Sequence, residues 1–190
     1  MTLTRHQSIR KPSMNKRKRN AAWLCRLAAL VLLGGCVQSE VGYATRNLKS
    51  GGGLAVDSVG ILRFGGTVGG SYSTSGSMSI EHHVSLDIGS TGFDTGDIFV
   101  DEVRYATRLY PLQGPVRPYV GAGLVMGFYI ESTSSTTDEM DFGVGGLAAA
   151  GLEIGDGKKF AISVEYSYLA TTAEEYGGDQ LAFSLVFKLQ

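Results

Sequence analysis

Cysteine is nearly absent from this chain: two among 190 residues, Cys25 and Cys36. Cys25 falls in an amino-terminal segment that reads as a removable leader, so no disulfide framework can hold the remainder together. Acidic groups are missing ahead of Glu40, whereas 8 of the 17 Lys and Arg lie in residues 1–35. Beyond that point the balance reverses to 9 basic and 18 acidic groups, a formal net charge of 9 − 18 = −9. Such a surplus of carboxylates argues against a nucleic-acid partner. No apolar run is long enough to cross a bilayer as a helix. After Cys36 a sustained 3.6-residue apolar period is also missing, and with it any case for a helical domain.

What is present at the amino terminus is a basic cluster, Lys16 to Arg19, followed by an apolar run from Trp23 to Leu33 broken only by Arg26. A basic flank ahead of a short apolar run is the pattern of a secretory signal, with Met14 a possible true start. The run closes on Leu33-Gly34-Gly35-Cys36. These four residues resemble the lipobox of bacterial lipoproteins. The resemblance implies cleavage before Cys36 and lipidation of that cysteine as the mature amino terminus. Val37, rather than an aspartate, follows it, which by the same resemblance implies sorting to the outer membrane of a Gram-negative cell. The expected division is therefore 1–35 as signal peptide and 36–190 as a single domain.

That domain reads as successive stretches of about ten residues with period-two alternation, set off by turn residues. Leu62, Phe64 and Val68 alternate with Arg63 and Thr67 over 59–70. Met78, Ile80, Val84, Leu86 and Ile88 alternate with Glu81, His83, Ser85 and Asp87 over 77–89. Phe99, Val103, Tyr105 and Leu109 alternate with Glu102, Arg104 and Arg108 over 98–110. The stretch 117–130 sets Val120, Ala122, Leu124, Met126, Phe128 and Ile130 against Tyr119, Gly121, Gly123, Val125, Gly127 and Tyr129. Segments 141–154, 159–170 and 180–189 follow the same rule.

Gln113-Gly114 and Asp156-Gly157-Lys158 read as tight turns, while 131–140 and 171–179 are longer and acidic. Short and long connectors then alternate sides, as in membrane barrels. Parity requires one further strand near 40–48, with Val41, Tyr43 and Thr45 on one face. The expectation is a closed antiparallel up-and-down transmembrane β-barrel of eight strands, both termini periplasmic.

The orientation follows from 117–130. Three glycines and a tyrosine make a poor water-facing surface but suit a crowded interior, where a barrel of this size has room only for side chains. The apolar set therefore faces lipid. The lumen then holds Arg63, Glu81, His83, Asp87, Glu102, Arg104, Arg108, Glu153, Glu165 and Lys188, both signs together, as a filled polar plug of ion pairs. A two-residue loop at Gln113-Gly114 would set Arg104 opposite Gly123 and Arg108 opposite Tyr119. A three-residue turn at 156–158 would set Glu165 opposite Ala149 and Glu153 opposite Ala161. Tyr43, Tyr72, Tyr105, Tyr129, Tyr166 and Tyr168 are candidates for interfacial girdles.

"RPYVGAGL" entering a strand, with strand, short turn and strand running to the end, resembles the small outer-membrane barrels related to OmpA and OmpX. The resemblance covers most of 40–190 and implies insertion by the barrel-assembly machinery. Two departures stand out: the chain finishes Phe187-Lys188-Leu189-Gln190 rather than on an aromatic residue, and a lipobox precedes the barrel.

Chemistry-bearing patterns are few. His83 and Ser85 share a strand face, with Glu81 beside them, an arrangement that lets an imidazole assist a hydroxyl nucleophile. Lipid A deacylases of the outer membrane use a His-x-Ser pair with a glutamate. In that family an asparagine follows the serine and the pair lies late in the chain; here Leu86 follows Ser85 in an early strand. Glu81, His83 and Asp87 also have metal-ligand chemistry, but pairing with Arg63 or Arg104 accounts for them. Gly121-Ala122-Gly123 has Met126 where a dinucleotide loop needs its third glycine, and no helix follows.

The functional expectation is a non-enzymatic outer-membrane barrel, lipid-anchored at Cys36, with a structural or surface-interaction role. No catalytic, metal or cofactor-binding residue is assigned. Expected partners are outer-membrane lipid, the assembly machinery and an extracellular partner met through the acidic loops. The alternatives are a lipid-modifying enzyme using Ser85, His83 and Glu81, and a lipid-anchored soluble ligand-binding barrel.

Overall fold

A computed structural model describes residues 36–48, 58–75, 78–91, 97–132, 139–155 and 159–188. The signal reading of 1–35 and the turn at 156–158 lie outside those residues, as do the side chains of Cys36 and Tyr72. Eight strands follow one another: β1 (Cys36–Leu48), β2 (Ser58–Ser75), β3 (Met78–Ser90), β4 (Asp97–Tyr110), β5 (Val116–Ser132), β6 (Glu139–Gly155), β7 (Phe160–Thr171) and β8 (Gly178–Lys188). Each pairs antiparallel with its neighbours, and β1 closes on β8, giving a closed barrel with the up-and-down topology expected. Closure satisfies every edge, which an open sheet facing hydrocarbon could not do.

The strand β1, inferred only by parity, runs from Cys36 rather than from about 40. Gln38 pairs with Lys188, so the chain enters and leaves at one end of the barrel. That end also carries the described connector 111–115, and the described stretch 172–177 lies at the other. The latter contains a short 3-10 turn, Glu174–Tyr176.

Alternation sorts the side chains as anticipated. Leu124 is 67% exposed and Phe183 54% exposed on the outer wall, and Phe99 is exposed there too. Arg104 and Glu165 are buried within. Val84 and Leu86 keep outward parity but are covered; their cross-strand partners are Gly66 and Tyr105, and Phe64 and Val103. One girdle candidate is misplaced. Tyr129 has inward parity and is fully buried.

Two registers differ from expectation by two residues. Arg108 faces Gly121 and Arg104 faces Val125, not Tyr119 and Gly123. The β4–β5 connector has Pro111 and Pro115 at its ends, and a proline offers no N–H to the tight ladder that a two-residue loop requires. Likewise Glu165 faces Gly151 and Glu153 faces Ser163, not Ala149 and Ala161. Strand β7 begins at Phe160, and just before it the Lys159 carbonyl accepts from the Lys188 N–H at 2.8 Å. A shift by two keeps every side chain on its predicted face, whereas a shift by one would have inverted the barrel.

Candidate functional site: a closed, self-neutralising lumen

Arginines and carboxylates meet in the lumen because every strand brings alternate residues to the axis, and an eight-stranded barrel leaves space only for side chains. Large groups sit opposite small ones. Arg63 pairs with Gly42, Arg108 with Gly121, Glu102 with Gly127 and Glu165 with Gly151. At Gly151 the Tyr119 ring lies where a β-carbon would stand, so only glycine fits.

The contacts form chains rather than isolated pairs. Arg63 donates to Asp87 at 3.0 Å and to Glu165 at 2.8 Å. Arg104 lies between Asp87 at 3.1 Å and Glu102 at 3.2 Å. Arg46 donates to Glu102 at 2.8 Å and to the Gln180 side-chain oxygen at 3.1 Å. Arg108 joins Glu165 at 2.7 Å to Glu40 at 3.4 Å, and His83 Nε2 stands 2.8 Å from the same Glu40 oxygen.

Nearer the chain termini, Arg117 bridges Glu81 and Glu153, and Lys188 reaches Glu153 at 3.1 Å. Two tyrosines connect these tiers. The Arg117 guanidinium lies 4.0 Å from the centre of the Tyr110 ring, that of Arg108 4.7 Å from the Tyr119 ring, and the two rings are 5.2 Å apart.

All ten lumen residues expected from sequence lie here. Glu40, Arg46 and Arg117, which the sequence reading left out, complete the set. The signal was available: Val41, Tyr43 and Thr45 facing out force Glu40 and Arg46 in, and Arg117 shares parity with Tyr119. With them the charges balance. Glu40, Glu81, Asp87, Glu102, Glu153 and Glu165 face Arg46, Arg63, Arg104, Arg108, Arg117 and Lys188, six against six. Outside this set, residues 36–190 contain 18 − 6 = 12 acidic and 9 − 6 = 3 basic groups, the whole of the −9.

The lumen is not polar throughout. Beneath the long connectors lies an apolar cluster of Ala44, Leu48, Val59, Ile61, Ile98, Val100, Tyr129, Tyr176 and Ala182. Tyr176, from the 3-10 turn, stacks on Tyr129 with ring centres 4.3 Å apart, and its carbonyl accepts from Arg46 at 3.1 Å. Tyr129 in turn donates to Glu102 at 2.6 Å. Gly178 permits this fold-over, since its φ of +150° is a conformation that L side chains rarely adopt. The mouth is thereby capped from within the chain.

The catalytic alternative is not assembled. His83 bonds Glu40 and Glu81 bonds Arg117, while Ser85 is buried in the same closed space. The carboxylates considered for a metal are likewise held by guanidinium groups: Asp87 by Arg63 and Arg104, Glu81 by Arg117. Among the described residues no group of three ligating side chains has the geometry of a cation site.

No family model matches the chain, and no curated protein matches it in sequence. Solved structures do. The attachment invasion locus protein Ail of Yersinia pestis is similar at 17% identity and TM-score 0.55, over 80% of this chain and 98% of that one. Ail has also been seen with the heparin analogue sucrose octasulfate. The amino-terminal barrel domain of Pseudomonas aeruginosa OprF is similar at 13% identity and TM-score 0.50, over 80% and 98%. Neisserial surface protein A is similar at 13% identity and TM-score 0.50, over 80% and 95%. At such identities the likeness is one of fold: a small closed barrel of the outer-membrane kind.

Proposed function

We propose that this chain is a non-enzymatic outer-membrane barrel, anchored by lipid at Cys36, whose role is structural or that of a surface contact. The observation that carries the reading is the sorting of its two faces: an apolar outer wall around a lumen whose six cations and six carboxylates neutralise one another. A lipid-anchored soluble barrel needs the reverse sorting, with its apolar face inward. Such a wall is at home in hydrocarbon, and a lumen filled and capped in this way suits stability rather than passage.

The chain termini and short connectors lie at one end, which suits a periplasmic anchor. At the other end, the described strand ends and connector carry Asp101, Glu131, Asp141, Glu174, Glu175 and Asp179. A cationic partner suits that surface better than a polyanion of the type seen with Ail. Insertion by the barrel-assembly machinery belongs to the same reading.

The test is direct. Membrane-extracted protein should need detergent for solubility and should migrate at a different apparent size before and after boiling. Intact mass should show acylation that Cys36→Ser removes. Aqueous release of an unmodified, heat-insensitive protein would refute the proposal.

A further inference from the structure

The closed ring ends where its shorter strands end, and β4, β5 and β6 run on beyond it. β6 pairs with β7 only as far as Gly145, opposite Thr171. One more rung is held by Thr172, whose N–H donates to the Val144 carbonyl at 2.9 Å and whose hydroxyl accepts from the Val144 N–H at 3.1 Å. The chain then enters the 3-10 turn, while β6 extends to Glu139. Among the described residues no strand pairs with β6 on that side beyond Val144, although β5 still pairs with it on the other. The β4 side differs. There Thr91 bonds both backbone groups of Ile98, at 3.1 and 2.9 Å, and only Asp97 of the strand lies beyond.

Successive residues of a strand offer their N–H and C=O groups to opposite neighbours. Both groups of Val144 go to the β7 side, so those of Phe142 and Met140 point the same way, onto an open edge. Such an edge is a template for a further strand. It stands in water. Asp101, of outward parity on β4, pairs with Phe128, and Phe128 pairs with Phe142; a carboxylate facing hydrocarbon would be costly.

The surroundings select the strand. A cavity of about 360 Å³ lies beside the edge, lined by Asp141, Phe142 and the turn at 172–176. Side chains of an added strand alternate between two faces. Those pointing to the mouth meet Asp141, Glu174 and Glu175. Those pointing outward meet Phe142, 52% exposed, whose ring centre lies 5.2 Å from that of Phe128. Cationic and apolar residues in alternation fit both faces at once.

We infer that the open edge of β6 between Met140 and Gly143 takes an extended, basic segment of a partner protein by strand addition. The inference deepens the surface-contact reading above and rests on it. Main-chain bonds supply the attachment, and the carboxylates and phenylalanines choose the sequence.

The test uses the full chain, expressed with its own leader and purified in detergent micelles, with its heat-dependent migration as the check on folding. The probe is a short fluorescent peptide alternating lysine and valine, followed by anisotropy. A second peptide has the same side chains but N-methylated backbone positions, so it keeps the charge and loses the donors. Met140→Pro removes one donor from the open edge and spares the ladder to β5, a place where proline is tolerated. N-methylation and Met140→Pro should each weaken binding about tenfold, the worth of one or two net hydrogen bonds. Glu174→Lys with Glu175→Lys should weaken it as well. Equal binding of both peptides to the unaltered protein, or no binding by a barrel that keeps its heat shift, would overturn strand addition while leaving the barrel reading standing. Dimers that form without peptide and vanish in Met140→Pro would give the edge to a second copy and overturn it too. A water-soluble protein without a heat shift would overturn the barrel reading itself.

Discussion

Arg63 shows what a single lumen residue contributes. It holds Asp87 and Glu165 at once, and all three side chains are shut away from water. Removing one member of such a group leaves buried charge uncompensated, a loss of about 3–5 kcal/mol. Arg63→Ala should therefore lower the urea unfolding midpoint in detergent markedly, whereas Arg63→Lys, which keeps the charge between Asp87 and Glu165, should lose less. Equal losses in both would mean that charge does not set the cost. Gly151→Val tests the opposite limit. The Tyr119 ring occupies the space, and overpacking should destabilise by about 1–3 kcal/mol; an unchanged midpoint would show a looser lumen than described. At this scale most of the site was legible in the sequence, since an inward Arg or Glu between outward apolar residues is fixed by parity alone. Glu40 and Arg46 followed from the same parity once Val41, Tyr43 and Thr45 were set facing out, but the weak contrast with Gly42 and Ala44 masked the pattern.

At the scale of elements, the turn after β7 is the feature that sequence pattern could not supply. "TTAEEYGGD" reads as a solvated acidic loop, yet its tyrosine returns to the barrel axis and stacks on Tyr129. The placement depends on a 3-10 turn and on Gly178, neither of which leaves a periodic trace. Tyr176→Ala should cost roughly 3 kcal/mol as a buried aromatic truncation. It should also admit water-soluble reagents to a cysteine substituted at Ala44 in the same apolar cluster. Unaltered stability together with no gain in labelling would show that the cap does not close the mouth. Registers were the other shortfall. Both hairpins slip by two residues because strand periodicity is two and says nothing about how many residues a connector consumes; Pro111 and Pro115 were the local clue.

For the whole molecule, composition conceals a partition. A net charge of −9 after residue 35 looks like a uniformly acidic protein, but the six carboxylates and six cations of the lumen cancel, so the excess belongs to the remaining residues. A neutral, filled lumen should give purified protein no stable conductance in planar bilayers; steady unitary currents would contradict the closed lumen. The claim on which the rest depends is that apolar side chains face hydrocarbon while charges face the axis. Trp23, the only tryptophan, precedes Cys36, so the barrel domain offers a dark background for fluorescence. Phe183→Trp and Leu124→Trp, each in the barrel domain reconstituted in vesicles, place a reporter on opposite parts of the outer wall. Quenching by brominated acyl chains, with little effect from aqueous iodide, is the predicted result. Quenching by iodide alone at both positions would contradict the account.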